Sequence, residues 1–135
     1  MKRYLLDTGI AGDYINRRHG VFERAREEVA KGNRIGIGMP VLAELFYGVE
    51  LSASSERNLQ RLRVALGTLT VWPFTETAAA EYGRIASALR RRGRTIQTPD
   101  IMIAAIALTL GNCSVDTSDS DLAAVAGLPV ENWRA

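Results

Sequence analysis

Residues 98–117 read TPDIMIAAIALTLGNCSVDT, and this stretch decides the fold class. A proline in the first turn opens a very apolar helix over residues 100–110, because proline is tolerated at that position. Gly111 closes the helix, and residues 113–117 form a short apolar strand. This helix and strand are one period of an alternation that runs along the chain.

The same alternation extends to both sides of this stretch. The predicted strands are residues 3–7, 34–38, 69–74 and 113–117, with a last edge strand near Val130. The predicted helices are residues 11–31, a helix from Pro40, one from Ser54 or Ser55 to about Leu66, one from Thr75 or Thr77 to Gly93, residues 100–110, and a short helix near 119–125. The alternation predicts an α/β protein with a mostly parallel central sheet and helices on both faces.

Length and composition fit a single domain over residues 1–135, with 47% hydrophobic residues to build one core. Cys113 and His19 are each the only residue of their type, which excludes a disulfide scaffold and a four-ligand zinc site. No apolar run approaches the ~20 residues that a membrane helix needs. The start, MKRYLLDTGI, does not fit a signal peptide, and we expect a cytoplasmic protein.

The basic residues are almost all arginine, since only Lys2 and Lys31 are lysines among the 17. Arginine pairs well with phosphate, so nucleic acid is a permitted partner, although genome composition produces the same bias. The densest basic run is Arg90, Arg91, Arg92 and Arg94, and Arg17–Arg18 is a smaller one. The longer run is either a helix C-terminus on a solvated face or a ledge that binds RNA phosphates.

Carboxylates stand where a parallel sheet binds ligands, at the ends of its strands. Asp7 follows the first strand, Asp119 and Asp121 follow the strand around Val115, Asp100 opens a helix, and Glu44 lies one turn into another. Helix capping explains Asp7 or Asp100 taken alone, and a plain turn explains Asp119 or Asp121. Glu44 has no ion-pair partner at helical spacing.

Converging carboxylates repel one another unless a cation lies between them. Oxygen ligands favour Mg²⁺ or Mn²⁺, which activates a water for attack on a phosphodiester and neutralises charge on phosphorus. His19 is alone and is expected at the surface, so no histidine-activated nucleophile is expected.

Five segments together carry a family resemblance. They are YLLDTGI at 4–10, MPVLAELFYGVE at 39–50, TPDIMIAAIAL at 98–108, VDTSDSDL at 115–122 and GLPVENW at 127–133. In this order and spacing the chain resembles the PIN domain family, and within it the VapC-like ribonuclease toxins of toxin–antitoxin pairs.

The resemblance implies roles for the acids. Asp7, Asp100 and Asp119 look like metal ligands, with Asp121 as the alternative to Asp119. Glu44 resembles the second acid of the family and acts through water.

Neighbouring positions complete the comparison with the family. Thr8 and Thr117 resemble the small polar residues that orient these carboxylates. Asp116 is left out, because it falls inside a strand where the family has an apolar residue. Gly9 replaces a common Asn or Ser and puts metal affinity in doubt, and Leu122 replaces Phe.

The resemblance further implies cleavage of RNA with Mg²⁺ or Mn²⁺, a homodimer, and inhibition by an antitoxin that places an Arg in the site. Phe46, Tyr47 and Trp72 stack on bases or, as we prefer, pack in the core or antitoxin groove. The alternative function is a catalytically weak PIN module that binds RNA or a protein. A phosphotransfer domain needs a well-placed lysine, which this chain does not have, since its lysines are Lys2 and Lys31. A DNA-directed PIN nuclease generally carries larger insertions, for which this chain is too short.

Overall fold

A single sheet of parallel strands forms the centre of the computed structural model, which describes residues 1–134. The strands are β1 (Arg3–Leu6), β2 (Arg34–Gly38), β3 (Thr70–Trp72), β4 (Cys113–Asp116) and β5 (Val130–Glu131). Their order is β3-β2-β1-β4-β5, and every neighbouring pair is parallel. Leu5 of β1 lies between Gly36 of β2 and Val115 of β4. The predicted α/β class is confirmed.

The helices fill the connections between the strands. They are α1 (Thr8–Asn16), α2 (Val21–Ala30), α3 (Met39–Leu51), α4 (Ser55–Leu66), α5 (Glu76–Arg91) and α6 (Thr98–Leu110). The connections from β1 to β2 and from β2 to β3 contain α1 to α4, and the return from β3 to β4 contains α5 and α6. Because crossovers between parallel strands are right-handed, the two groups of helices belong on opposite faces of the sheet. Both faces are therefore covered, as the alternation predicted.

The prediction of one helix over residues 11–31 is wrong, because the chain forms two helices there. Arg17, His19 and Gly20 have φ values of 56°, 57° and 70°, in the left-handed region that ends a helix. The periodicity of the apolar residues carried no sign of this break. Two smaller differences are that β3 ends at Trp72 and that the short helix near residue 120 is a 3₁₀ helix, Ser120–Ala124.

The core lies on both sides of β1. Leu5 and Leu6 are fully buried, and α6 buries Ile103 and Ile106 against the sheet. Trp72 is also buried, which confirms core packing for that aromatic residue.

Surface features agree with the sequence in part. Phe46 and Tyr47 on α3 are exposed and do not pack in the core, and His19 is exposed as expected. Cys113 is a buried free thiol. Within residues 1–134, each helix is too short or too polar to cross a membrane.

Gly36 provides a test of the sheet packing. A Cβ added there would lie 2.1 Å from the Thr70 carbonyl oxygen and 2.8 Å from Trp72. We expect Gly36→Ala to lower the free energy of unfolding by about 3 kcal/mol, as overpacking does. Gly83→Ala is the control, because a Cβ at Gly83 meets no atom within 4 Å. Urea denaturation should show no loss of stability for Gly83→Ala, and equal midpoints for the two variants would contradict the packing described.

Candidate active site

Asp7 is fixed at the carboxyl end of the central strand. Its backbone N–H donates to the Asp116 carbonyl oxygen at 3.0 Å, which ties the end of β1 to the end of β4. Its Oδ1 accepts the N–H of Ile10 at 2.8 Å, so Asp7 is the N-cap of α1. Asp7 therefore caps a helix and also lies at the end of a strand, two roles that the sequence analysis treats as alternatives.

Asp119 lies at the end of the neighbouring strand. Its N–H donates to the Thr117 hydroxyl at 2.9 Å, and its Oδ1 accepts the Asp121 N–H at 2.9 Å. The sheet order reverses between β1 and β4, because the chain moves from β1 through β2 to β3 and then returns to the opposite side. Such a reversal opens a crevice at the carboxyl ends of the strands, and Asp7 and Asp119 stand on its two sides.

Two helices bring the remaining acids to this crevice. Asp100 is in the first turn of α6, which starts at this edge of the sheet because it leads back into β4. Glu44 lies in α3 and is half-buried, and its Oε1 accepts the Thr8 hydroxyl at 2.6 Å. Thr8 therefore orients Glu44 and not Asp7.

The pKa of Asp100 depends on the acids around it. Burial raises it, and the charges of Asp119, Asp7, Glu44 and Asp121, in that order, raise it further to about 6. Asp119 thus acts on Asp100 more strongly than Asp121 does.

Asp121 and Asp7 have cationic neighbours. The Asp121 carboxylate lies 3.4 Å from the guanidinium of Arg94. Burial raises the pKa of Asp7, while the Thr117 hydroxyl, the Ile10 N–H and the charge of Arg134 oppose that rise. Thr117 therefore favours the charged form of Asp7, as a residue that orients a ligand would.

The carboxylate oxygens at this crevice are the type of ligand that a hard divalent cation prefers. The oxygen donors are carboxylates whose mutual repulsion a cation would relieve. Among residues 1–134, however, no three acidic, histidine or cysteine side chains are gathered so that they hold an ion as they stand. The acids nevertheless border one crevice, at the carboxyl ends of β1 and β4 and at the start of α6.

Asp116 lies outside this group of acids. Its side chain is fully buried, and it points to the opposite side of the sheet from the next residue, Thr117, because side chains alternate along a strand. Oδ1 accepts the N–H of Trp133 at 3.0 Å, whereas Oδ2 has no partner. Burial raises the pKa of Asp116 to about 7.

Sequence reasoning missed two charged residues beside the site. Asp13 of α1 is buried, and Arg134 reaches back to it from the end of the chain. An acid among the apolar residues of α1 was the available signal for Asp13. Arg134 gave no signal, since its partner is 121 positions away.

The predicted arginine ledge lies next to the loop that holds Asp119. Arg92 donates to the Ala124 carbonyl at 3.0 Å, and Arg94 pairs with Asp121. Arg90 and Arg91 are exposed at the end of α5.

A groove of about 360 Å³ starts at the acids and runs between α1, α3 and α4. Thr8 and Glu44 form its end at the site. Its apolar lining consists of Ile15, Leu45, Val49 and Leu62.

Known proteins are similar to this chain in sequence and in fold. The PIN domain family model matches residues 4–128. Ribonuclease VapC2 of Rickettsia felis is 32% identical over 130 residues, which cover 96% of this chain and 97% of that protein. The tRNA(fMet)-specific endonuclease VapC of Shigella flexneri is 33% identical over 134 residues, which cover 98% and 99%.

A solved structure agrees with these relatives. It is the crystal structure of VapBC2 from Rickettsia felis bound to a DNA fragment from their promoter, with a TM-score of 0.89, 32% identity and coverage of 97% and 98% of the two chains. The chain therefore belongs to the PIN domain family. Within that family, both of the relatives described above are named VapC, and this chain matches them over nearly their whole length.

The raised pKa of Asp100 makes a stability prediction for the metal-free protein. A folded pKa of about 6, above the ordinary 3.8, means that stability falls as pH rises through the window from about 4 to 6. Asp100→Asn removes this loss. We expect the variant to be about 1 kcal/mol more stable at pH 7, a value reduced for solvent screening, and no more stable below pH 4.

The measurement is urea unfolding in EDTA at both pH values. Glu76→Gln, which removes an exposed acid from the start of α5, is the control and should change little. Equal stability of Asp100→Asn and the wild type at pH 7 would contradict the repulsion described.

Proposed function

We propose that this protein is the ribonuclease toxin of a VapBC-type toxin–antitoxin pair and that it cleaves RNA phosphodiester bonds with Mg²⁺, or with Mn²⁺ in its place. The observation that carries the proposal is that Asp7 and Asp119 follow the two strands where the sheet order reverses, with Asp100 at the start of α6 and Glu44 hydrogen-bonded to Thr8 beside them. The relatives named as VapC ribonucleases support it.

Asp7, Asp100 and Asp119 would hold the cation directly, and Glu44 would act through a water. When bound, the cation supplies positive charge for the phosphodiester and lowers the pKa of a water that attacks it. No side chain near the acids is arranged as a histidine-activated nucleophile among residues 1–134, where His19 is paired with Asp13.

The protein holds its carboxylates in place before substrate binds. Asp7 and Asp119 each use Oδ1 to cap a helix, which restrains the rotation of both side chains. The Thr8 hydroxyl does the same for Glu44. These hydrogen bonds limit the orientations that each carboxylate takes before a cation binds.

We propose a structured RNA, with transfer RNA as the first candidate, as the substrate. The Shigella flexneri relative is named as specific for a transfer RNA. Arg90 and Arg91 are exposed beside the site and would bind phosphates along the backbone.

The partner would be a VapB-like antitoxin acting in the cytoplasm. A segment with apolar side chains would occupy the groove between α1, α3 and α4, and a cationic side chain at its end would reach Glu44. A homodimer, expected for the family, is part of the same proposal. The Rickettsia felis neighbour, a VapBC2 complex, supports the antitoxin partner.

The acids are tested by cleavage of total cellular RNA with Mg²⁺, with Mn²⁺ and with EDTA. We expect discrete fragments that require metal, and a loss of at least about a hundredfold in Asp7→Asn and Asp100→Asn because the cation is no longer held. Asp119→Asn should lose activity as well, whereas Asp121→Asn should keep it. Glu76→Gln controls for the loss of a surface acid.

Cleavage that survives in both Asp7→Asn and Asp100→Asn would contradict the mechanism. Absence of cleavage by the folded wild type would favour the RNA- or protein-binding module.

The arginine ledge is tested by the salt dependence of RNA binding in EDTA. Removing one arginine that binds a phosphate should reduce the slope of log K against log salt by about 0.7 to 0.9. We therefore expect Arg90→Gln with Arg91→Gln to weaken binding and to flatten the slope, while Mn²⁺ binding is kept. Arg34→Gln is the matched control, because Arg34 is exposed where β2 begins, at the opposite edge of the sheet. An unchanged slope in the double variant would show that the ledge does not bind RNA.

A further inference from the structure

Arg134 is a charged group beside the site that the proposed function does not use. Its Nε donates to Asp13 Oδ2 and its Nη1 donates to Ser118 Oγ at 3.2 Å. Its Nη2 lies 3.5 Å from the Gly9 carbonyl oxygen. The guanidinium is therefore held from α1 and from the loop after β4, the two segments that also carry Asp7 and Asp119.

The guanidinium lies next to the first acid of the site. A Cβ added to Gly9 would be 3.7 Å from Arg134 Nη2 and 3.7 Å from Asp7 Oδ1, so both groups border the same open space. The positive charge of Arg134 also opposes the rise in the pKa of Asp7 that burial causes. The absence of a side chain at position 9 leaves this space free.

Two buried acids outside the catalytic group fix Arg134 in this position. Asp13 binds the guanidinium, and His19 Nδ1 lies 3.2 Å from the same carboxylate. Asp116 binds the N–H of the preceding residue, Trp133, whose buried ring packs against Tyr4. A buried carboxylate is costly unless it is paired, so the buried Asp13 stabilises Arg134 in this position.

A guanidinium has five N–H groups in a fixed fork. Three of them point at Asp13, Ser118 and Gly9, which leaves one N–H on each terminal nitrogen of Arg134. The Arg134 side chain is 34% exposed, so a ligand can approach it from solvent. Paired donors of this kind match the oxygens of a phosphate.

We propose that Arg134 binds a non-bridging phosphate oxygen of the RNA next to the bond that is cleaved. This inference rests on the proposed function and names the group that holds the substrate phosphate beside Asp7. A phosphate that approaches a group of acids is repelled by them, and a fixed positive charge at the edge of the group offsets that repulsion. An acidic side chain of the antitoxin is the competing ligand, and the experiment separates it from RNA.

The test compares the wild type, Arg134→Gln, Arg134→Lys and the control Arg34→Gln. We expect Arg134→Gln to raise KM for cleavage of bulk bacterial transfer RNA roughly tenfold with kcat within about twofold, because it removes a charge-assisted hydrogen bond that is made throughout the reaction. In EDTA, the slope of log K against log salt for the same RNA should fall by about 0.7 to 0.9, the value for a single phosphate. Arg134→Lys should have a KM and a salt slope between those of the wild type and Arg134→Gln, because lysine keeps the positive charge but not the paired N–H donors.

An unchanged KM and salt slope in Arg134→Gln, with a lower thermal midpoint, would overturn the proposal and leave Arg134 as a clamp for the end of the chain. Unchanged values for RNA with weaker binding of an antitoxin would overturn it in favour of the protein partner. Arg134→Lys keeps the contact with Asp13 and guards against a variant that fails to fold. Absence of cleavage by the wild type would overturn the proposed function, and the salt slope in EDTA would then still decide whether Arg134 binds an RNA phosphate.

Discussion

The parallel pairing of β1 with β4 is the interaction on which the site depends. It places Leu6 opposite Asp116, and the backbone N–H of Asp7 continues the ladder by donating to the Asp116 carbonyl. Because the chain leaves both strands at the same edge, Asp7 and Asp119 face the same crevice. The apolar helix α6 covers this pair of strands and brings its first turn, with Asp100, to that edge.

The same arrangement costs stability. Carboxylates that face one another in a partly buried crevice repel, and domains of this size have only a few kcal/mol to spare. Helix capping by Asp7 and Asp119 and the Thr8 hydroxyl on Glu44 offset part of that repulsion locally. Mutually repelling acids are typical of a functional site, where residues needed for the reaction replace residues that would stabilise the fold better.

The sequence predicted the parallel sheet, because periodicity is local. It also predicted Asp7 and Asp119 after strands, Asp100 at the start of a helix and Glu44 one turn into another. It did not predict the break at Arg17 and His19, where left-handed backbone is adopted by residues that rarely adopt it. The link between Asp13 and Arg134 was also out of reach, because it joins positions 121 apart. Asp116 was set aside as a strand residue, and its contact with Trp133 depends on how β5 and the chain end pack.

The proposed function requires that Asp7, Asp100 and Asp119 form one cation site. Titration of the metal-free protein with Mn²⁺, followed by electron paramagnetic resonance, tests it without any RNA. A single cation site predicts saturable binding that weakens by at least about tenfold in Asp7→Asn and in Asp119→Asn, and that stays unchanged in Glu76→Gln. Mn²⁺ binding that does not saturate, or that is equal in all four proteins, would contradict it.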